Sequence, residues 1–167
     1  HEWPPQLWVN PATRERYQLI DLARTGYALK ASPRVETNHM GRCVQVEIAG
    51  HAADTHQWPT DWIEWLALEV LRPIHEHAGV PLVAYRDVGL DSHGGYGIHA
   101  PSRMSLAAWR TFTGFCTHQN VPDNDHWDAG RLPLGHMLTI AAQEDDDMAK
   151  PIMARQNGQW FMVEGRL

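Results

Sequence analysis

Cysteine is scarce in this chain, which has only Cys43 and Cys116 among its 167 residues. Each lies in an apolar, strand-like run. So low a number does not support a disulfide framework, and we expect two buried thiols that act as small hydrophobic side chains. The phosphate-binding patterns GxxxxGK(S/T) and GxGxxG are also missing, so the glycine-rich segment 91–99 is not predicted to bind a phosphate.

Positive charge is in deficit as well, with 14 Lys and Arg against 20 Asp and Glu and a formal net charge of −6. Binding to nucleic acid requires clustered Lys and Arg, so nucleic acid is excluded as the expected partner. The 43% of hydrophobic residues and 20% of charged residues predict neither disorder nor a membrane span. The first five residues show neither a basic region nor an apolar run, so no signal peptide is visible.

Histidine and tryptophan, by contrast, are abundant, at eleven and eight residues. The pairing suits metal chemistry and stacking on carbohydrate. Two imidazoles (His118 and His126) and three carboxylates (Asp123, Asp125 and Asp128) fall in the short segment 116–130. A loop between His118 and Asp128 can fold back and present both side chains to one ion, so we interpret this segment as the rim of a site.

The hydrophobic pattern predicts an α/β fold. The predicted elements are a hairpin over 5–20 turning at 10–13, a strand over 43–50, a helix over 59–77, a short strand over 80–85, a β-like stretch over 112–116, helices over 105–111 and 132–142, and a hairpin over 151–163 turning at Asn157-Gly158. Thr60 or Asp61 is expected to cap the long helix, Pro73 to kink it or end its regular part near Leu71, and Gly79 to terminate it.

Together these elements predict a mixed central β-sheet of about five strands flanked by helices. The predicted domains are 1–143 as the main domain, 144–150 as an acidic linker, and 151–167 as a hairpin appendage or the start of a further module.

Glu47 stands in the middle of the most strand-like run of the chain. Val46 and Ile48 point to one face of that strand and Glu47 to the other. We expect the strand to be central in the sheet. In a covered cleft, burial would raise the pKa of this carboxylate, which could then act as a general acid or base.

Three short motifs follow one another in the chain: Val46-Glu47-Ile48-Ala49-Gly50, Thr117-His118-Gln119-Asn120-Val121-Pro122 and Asp128-Ala129-Gly130. In this order and spacing the chain resembles the zinc-dependent N-acetylmuramoyl-L-alanine amidase family, of the amidase-2 or peptidoglycan-recognition-protein type. It is similar in particular to the amidase domains of endolysins from phages of mycobacteria and related actinobacteria. The likeness covers about residues 3–143 and implies the fold of that family.

The resemblance also implies an activity and its residues. His118 and Asp128 match zinc ligands, and Glu47 matches the carboxylate that orients or deprotonates a water molecule on zinc. His126 takes the place of a Lys that stabilises the oxyanion in many relatives. The implied reaction is hydrolysis of the amide bond between N-acetylmuramic acid and L-alanine by zinc-activated water, with bacterial peptidoglycan as the partner. A phage endolysin would stay in the host cytoplasm until lysis and then act on the cell wall, and we expect a monomer.

The first zinc ligand of the family, a His before the hairpin, has no match here. Either the chain is a fragment, or another residue such as His51 replaces that ligand, or catalysis is lost. In the last case the protein would be an inactive peptidoglycan-binding module. A further alternative takes His1 as a copper-chelating N-terminus, but that chemistry needs a β-sandwich, which the predicted helices disfavour.

Overall fold

The computed structural model describes residues 4–29, 32, 36, 38, 43–52, 58–86 and 97–143, and the backbone of 152–156 and 159–163. The predicted acidic linker, the turn at Asn157-Gly158, His1 and the glycine-rich segment up to residue 96 lie outside the described residues. Within those residues, no helix has the length and apolar character needed to cross a bilayer.

A three-stranded mixed sheet holds the first part of the chain. Its strands are β1 (Leu7–Asn10), β2 (Glu15–Gln18) and β3 (Val46–Ile48), in the order β2-β1-β3. β1 pairs antiparallel with β2 and parallel with β3, so Trp8 lies between Tyr17 and Glu47 in register. The predicted hairpin is confirmed. The prediction that Glu47 lies on the central strand is wrong, because β1 takes the centre and β3 an edge of this sheet.

The sheet is smaller than predicted because two strand-like runs barely pair. The runs 80–85 and 112–116 meet in a single parallel bridge, between Ala84 and Phe115. Gly114, at φ 148°, lies so close to the Val83 carbonyl that a Cβ there would be 2.3 Å from its oxygen. A glycine is required at this close approach and φ, and the backbone bonds there run from the Phe115 N–H to the Val83 carbonyl and from the Tyr85 N–H to the Phe115 carbonyl. The fold is therefore mixed α/β as predicted, but its described central sheet has three strands.

The long helix is one continuous run of three segments: α1 (Thr60–Leu66), a π-helical turn (Ala67–Leu71) and α2 (Arg72–Ala78). The π turn ends two residues before Pro73, which has no N–H for the Glu69 carbonyl. Arg16 on β2 donates to that carbonyl instead, at 2.7 Å. The predicted disturbance near Leu71 is thus a wider turn within an unbroken helix.

The C-terminal end of that helix agrees with the prediction, and its N-terminal cap does not. Gly79 ends it in the left-handed conformation, at φ 68°, as expected. The N-cap is Pro59, with no side-chain hydrogen bond, so the expected cap at Thr60 or Asp61 is wrong. Both residues lie inside the first turn.

The remaining elements follow in chain order. They are α3 (Leu106–Thr111), a 3-10 turn (His118–Asn120), α4 (Leu134–Ala142), β4 (Ile152–Gln156) and β5 (Gln159–Val163). The Ser105 hydroxyl caps α3 by accepting from the Ala108 N–H at 3.1 Å. β4 and β5 pair antiparallel as a separate two-stranded sheet, which confirms the C-terminal hairpin.

Two apolar clusters support these elements. The larger joins β1, the long helix and α4 through twelve buried residues: Val9, Ile63, Leu66, Ala67, Val70, Leu71, Ile74, Leu132, Leu134, Met137, Leu138 and Ala141. The smaller one consists of Leu29, Met104, Trp109 and Val121. Because Val121 directly follows the 3-10 turn, this second cluster anchors the segment that contains His118.

Candidate metal centre

A capping box fixes the turn on which His118 lies. Thr117 and Asn120 bond reciprocally, and the Asn120 side-chain oxygen accepts from the Thr117 N–H at 3.0 Å. Asn120 is buried, and its side-chain amide donates to the Ser102 carbonyl at 3.2 Å. The start of the site segment is therefore tied to its neighbours through hydrogen bonds that do not use the His118 ring.

Gln119 joins the two ends of the segment. Its backbone N–H donates to the Asp128 carbonyl at 3.2 Å, and its buried side-chain amide donates to the Gly130 carbonyl. Because Gln119 is buried, its backbone bond and its side-chain bond together hold the two ends of the segment in one arrangement. As a result the chain folds back and Asp128 lies beside His118.

Asn124 holds the intervening loop. Its side-chain amide donates to the carbonyls of Val121 and His118, at 2.5 and 3.3 Å, and its side-chain oxygen accepts from the His126 N–H at 2.8 Å. This is the local side-chain to backbone bonding for which Asn is favoured in turns. It brings His126 to the same place as the other two side chains.

The three side chains meet in one cluster. His118 Nδ1 lies 2.5 Å from Asp128 Oδ2, and His126 Nδ1 lies 3.3 Å from Asp128 Oδ1. The two imidazole centroids are 5.8 Å apart, with their planes at 79°. Each carboxylate oxygen therefore faces a different imidazole, and the ligand atoms of the three residues all lie within 4.8 Å of one another.

The cluster is open to solvent on one side. The side chains of His118, His126 and Asp128 are 22%, 50% and 45% exposed. A structural zinc site is filled by four protein ligands, whereas a catalytic site has three and leaves a position for water or substrate. The cluster offers three ligand groups among the described residues, and its exposure leaves one side open to solvent.

Asp128 is anionic in this setting. Burial by itself would raise the pKa of Asp128, but the hydrogen bond and charge of His118 and the charge of His126 outweigh it, so the pKa lies below its usual value. A carboxylate must be deprotonated to bind a metal. Asp128 meets that condition throughout the neutral range.

The donor set fits a metal ion. Two imidazole nitrogens and one carboxylate oxygen are the ligands found in catalytic zinc sites, and zinc bonds of about 2.0 Å place tetrahedral ligand atoms about 3.3 Å apart. The separation of His126 Nδ1 from Asp128 Oδ1 is 3.3 Å. The closer contact to His118 is that of a hydrogen bond, whose proton a metal would displace. The cluster can therefore hold a metal ion.

Two of the candidate residues from the sequence lie elsewhere. Glu47 is exposed on β3, opposite Trp8, and is not one of the three clustered side chains. His51, the suggested substitute ligand, is exposed just beyond β3 and is likewise outside this cluster. The third potential ligand beside His118 and Asp128 is His126, for which the sequence predicted a different role. The catalytic role of Glu47 stays a prediction.

The residues that position the cluster were not found from the sequence. They are Gln119, Asn120, Asn124 and Arg103. The repeated Asn and Asp in 123–125 were a signal for a side-chain-bonded turn. Arg103 donates to the main-chain carbonyls of His118 and His126, which lie 15 and 23 residues further along the chain, so its own neighbourhood in the sequence carries no signal of them. No protein-family model, no curated protein and no solved structure matches this chain.

Proposed function

We propose that His118, His126 and Asp128 bind zinc, and that the protein hydrolyses the amide bond between N-acetylmuramic acid and L-alanine in peptidoglycan. The observation that carries the proposal is the convergence of two imidazoles and an ionised carboxylate in a solvent-open cluster. Its further support is the likeness of the three motifs to zinc amidases. An endolysin that acts on the cell wall after lysis is the setting we propose.

The ligands narrow the choice of metal, and the likeness to zinc amidases is the reason that we propose zinc. Imidazole nitrogens suit zinc, copper, iron and nickel, whereas magnesium and calcium prefer oxygen ligands only. A site with two imidazoles therefore disfavours the alkaline earth ions. When bound, zinc would lower the pKa of a water molecule towards about 7 and polarise the carbonyl of the scissile amide.

The chain's own residues have separate tasks in this proposal. Asp128 would supply the anionic ligand, whose negative charge offsets part of the charge of the metal ion. Glu47 is proposed to orient or deprotonate the attacking water. Since Glu47 is exposed on β3 and lies outside the cluster, that role depends on the sequence motif alone.

The position of Glu47 favours one alternative, an inactive peptidoglycan-binding module of the same fold. In that case the site would bind the stem peptide or glycan without cleaving it. The zinc content does not distinguish an active amidase from an inactive binding module, so the activity has to be assayed directly.

The test begins with elemental analysis of the full chain purified in the presence of zinc. Wild type is expected to hold close to one zinc per chain, and His118→Ala to hold little. His136→Ala is the matched control, because His136 is an exposed histidine on α4 outside the cluster, and it should keep its zinc. Wild-type protein without zinc would refute the proposal. Zinc without release of L-alanine peptides from muramyl peptides would leave the binding module.

A further inference from the structure

Arg103 contacts the main chain of both site histidines. Its Nη1 donates to the His118 carbonyl at 2.6 Å and its Nη2 to the His126 carbonyl at 2.5 Å. Its Nε donates to the Gly97 carbonyl at 3.2 Å. One half-buried side chain thus bridges the two residues whose rings face Asp128.

The shape of the guanidinium group makes this bridge rigid. Its N–H donors lie in one plane in a fixed fork, so two carbonyls bound to Nη1 and Nη2 keep a fixed separation. An ammonium group is a point donor and cannot hold both in the same way. The bonds are charge-assisted and therefore stronger than bonds between neutral groups.

We propose that Arg103 is the positioning residue of the metal site, and that it sets the affinity for the metal by fixing the separation of His118 and His126. This inference rests on the proposed metal-binding function. Partners that orient metal ligands typically contribute a factor of about 10–100 to metal affinity. Arg103 acts on the ligands' backbone and does not touch the metal.

The positive charge of Arg103 should weaken metal binding, whereas its hydrogen bonds to the ligand residues should strengthen it. Its guanidinium interacts electrostatically with Asp125 and Asp128, so it competes with a cation for their negative charge. Removal of the charge alone would therefore strengthen metal binding. Positioning predicts the reverse, a loss of affinity when the fork is removed.

The experiment compares Arg103→Lys and Arg103→Met with wild type in the full chain. Zinc affinity is measured by competition with a chromophoric chelator, and coordination is read from the visible absorption of bound cobalt. Arg103→Lys keeps the charge but loses the fork, so we expect an affinity loss of at least 10-fold and a changed cobalt spectrum. Arg103→Met should also lose affinity, by a smaller factor because repulsion falls too.

Arg72→Met is the matched control. Arg72 also donates to three main-chain carbonyls, those of Ala141, Ile140 and Gln143, but they belong to α4 and its end. Its loss should lower the free energy of unfolding while leaving zinc affinity and the cobalt spectrum unchanged. If a general loss of rigidity lowered the zinc affinity, Arg72→Met should lower it as Arg103→Met does.

The outcomes are distinct. Wild-type affinity and spectrum in both Arg103 variants, or tighter binding by Arg103→Met, would overturn the inference and leave the metal site intact. Wild-type protein that binds neither zinc nor cobalt would overturn the proposed function together with the inference. Circular dichroism reports folding, so Arg103→Lys decides the matter if Arg103→Met fails to fold. Unfolding of both variants would overturn the inference, because Arg103 would then be a residue of the fold.

Discussion

Replacement of His126 by alanine separates two roles for this residue, a metal ligand and a donor to the oxyanion. The structure favours the ligand, since His126 Nδ1 lies 3.3 Å from Asp128 Oδ1, a spacing suited to two ligands of one ion. Structural zinc sites with four ligands bind with about 10–16 kcal/mol, so one ligand contributes roughly 2.5–4 kcal/mol. We therefore expect His126→Ala to weaken zinc binding by about 100- to 1,000-fold.

The assay is a competition titration with a chelator, followed by turnover of a muramyl peptide at saturating zinc. If His126 only donates to the oxyanion, zinc affinity should stay at the wild-type value and kcat should fall by about 100- to 1,000-fold. An unchanged zinc affinity in His126→Ala would therefore refute the ligand assignment. His136→Ala controls for the loss of an exposed imidazole, and its zinc affinity should match wild type.

Two substitutions and one thiol-labelling experiment test the electrostatics and the packing. In metal-free protein, Asp128→Asn should lower the free energy of unfolding by less than about 1 kcal/mol at neutral pH, because the site is half exposed. The pKa of Asp128 is lower in the folded protein than in the unfolded chain. The stability difference between wild type and Asp128→Asn should therefore be full at a pH above the unfolded-state pKa and should vanish as the pH falls through the folded-state pKa. Urea titrations at a series of pH values measure it, and a difference that does not change with pH would contradict this expectation. Gly114→Ala would place a Cβ 2.3 Å from the Val83 carbonyl oxygen. We expect the free energy of unfolding, measured in urea, to fall by about 1–3 kcal/mol. An unchanged urea midpoint would count against the close approach. Burial raises the pKa of Cys43 to about 11 and of Cys116 to about 12, so both thiols should react slowly with a disulfide reagent at pH 8 until urea is added, and fast reaction of the folded protein would disprove their protection.

Local patterns predicted local elements well. The first hairpin, the long helix and its end at Gly79 follow from turn residues and helical spacing, which act between near neighbours in sequence. The size of the sheet was overestimated because strand pairing is decided by distant segments. The run 80–85 has the composition of a strand, but it forms only one bridge to the segment around Phe115 in the part of the chain that the structure describes.

Some residues of the site could be predicted from local sequence, and others depend on contacts with distant segments. His118 and Asp128 were identified because residue type and spacing suggest a metal ligand directly. The direction of the His126 ring depends on the bonds of Asn124, so its place beside Asp128 could not be derived from spacing. Arg103 was missed for a stronger reason, since nothing in its neighbourhood in the sequence indicates which carbonyls it binds.

The hydrogen bonds around the cluster bear on how the site would receive a metal. Asn124 bonds to the His118 carbonyl and the His126 N–H, while Arg103 bonds to the carbonyls of both. Both histidines are therefore held through their backbone, and their rings keep their nitrogens for Asp128. A site ordered in this way without metal has little conformational entropy left to lose on binding. Metal binding would also displace the proton of the hydrogen bond between His118 and Asp128, so we expect the metal affinity to depend on pH.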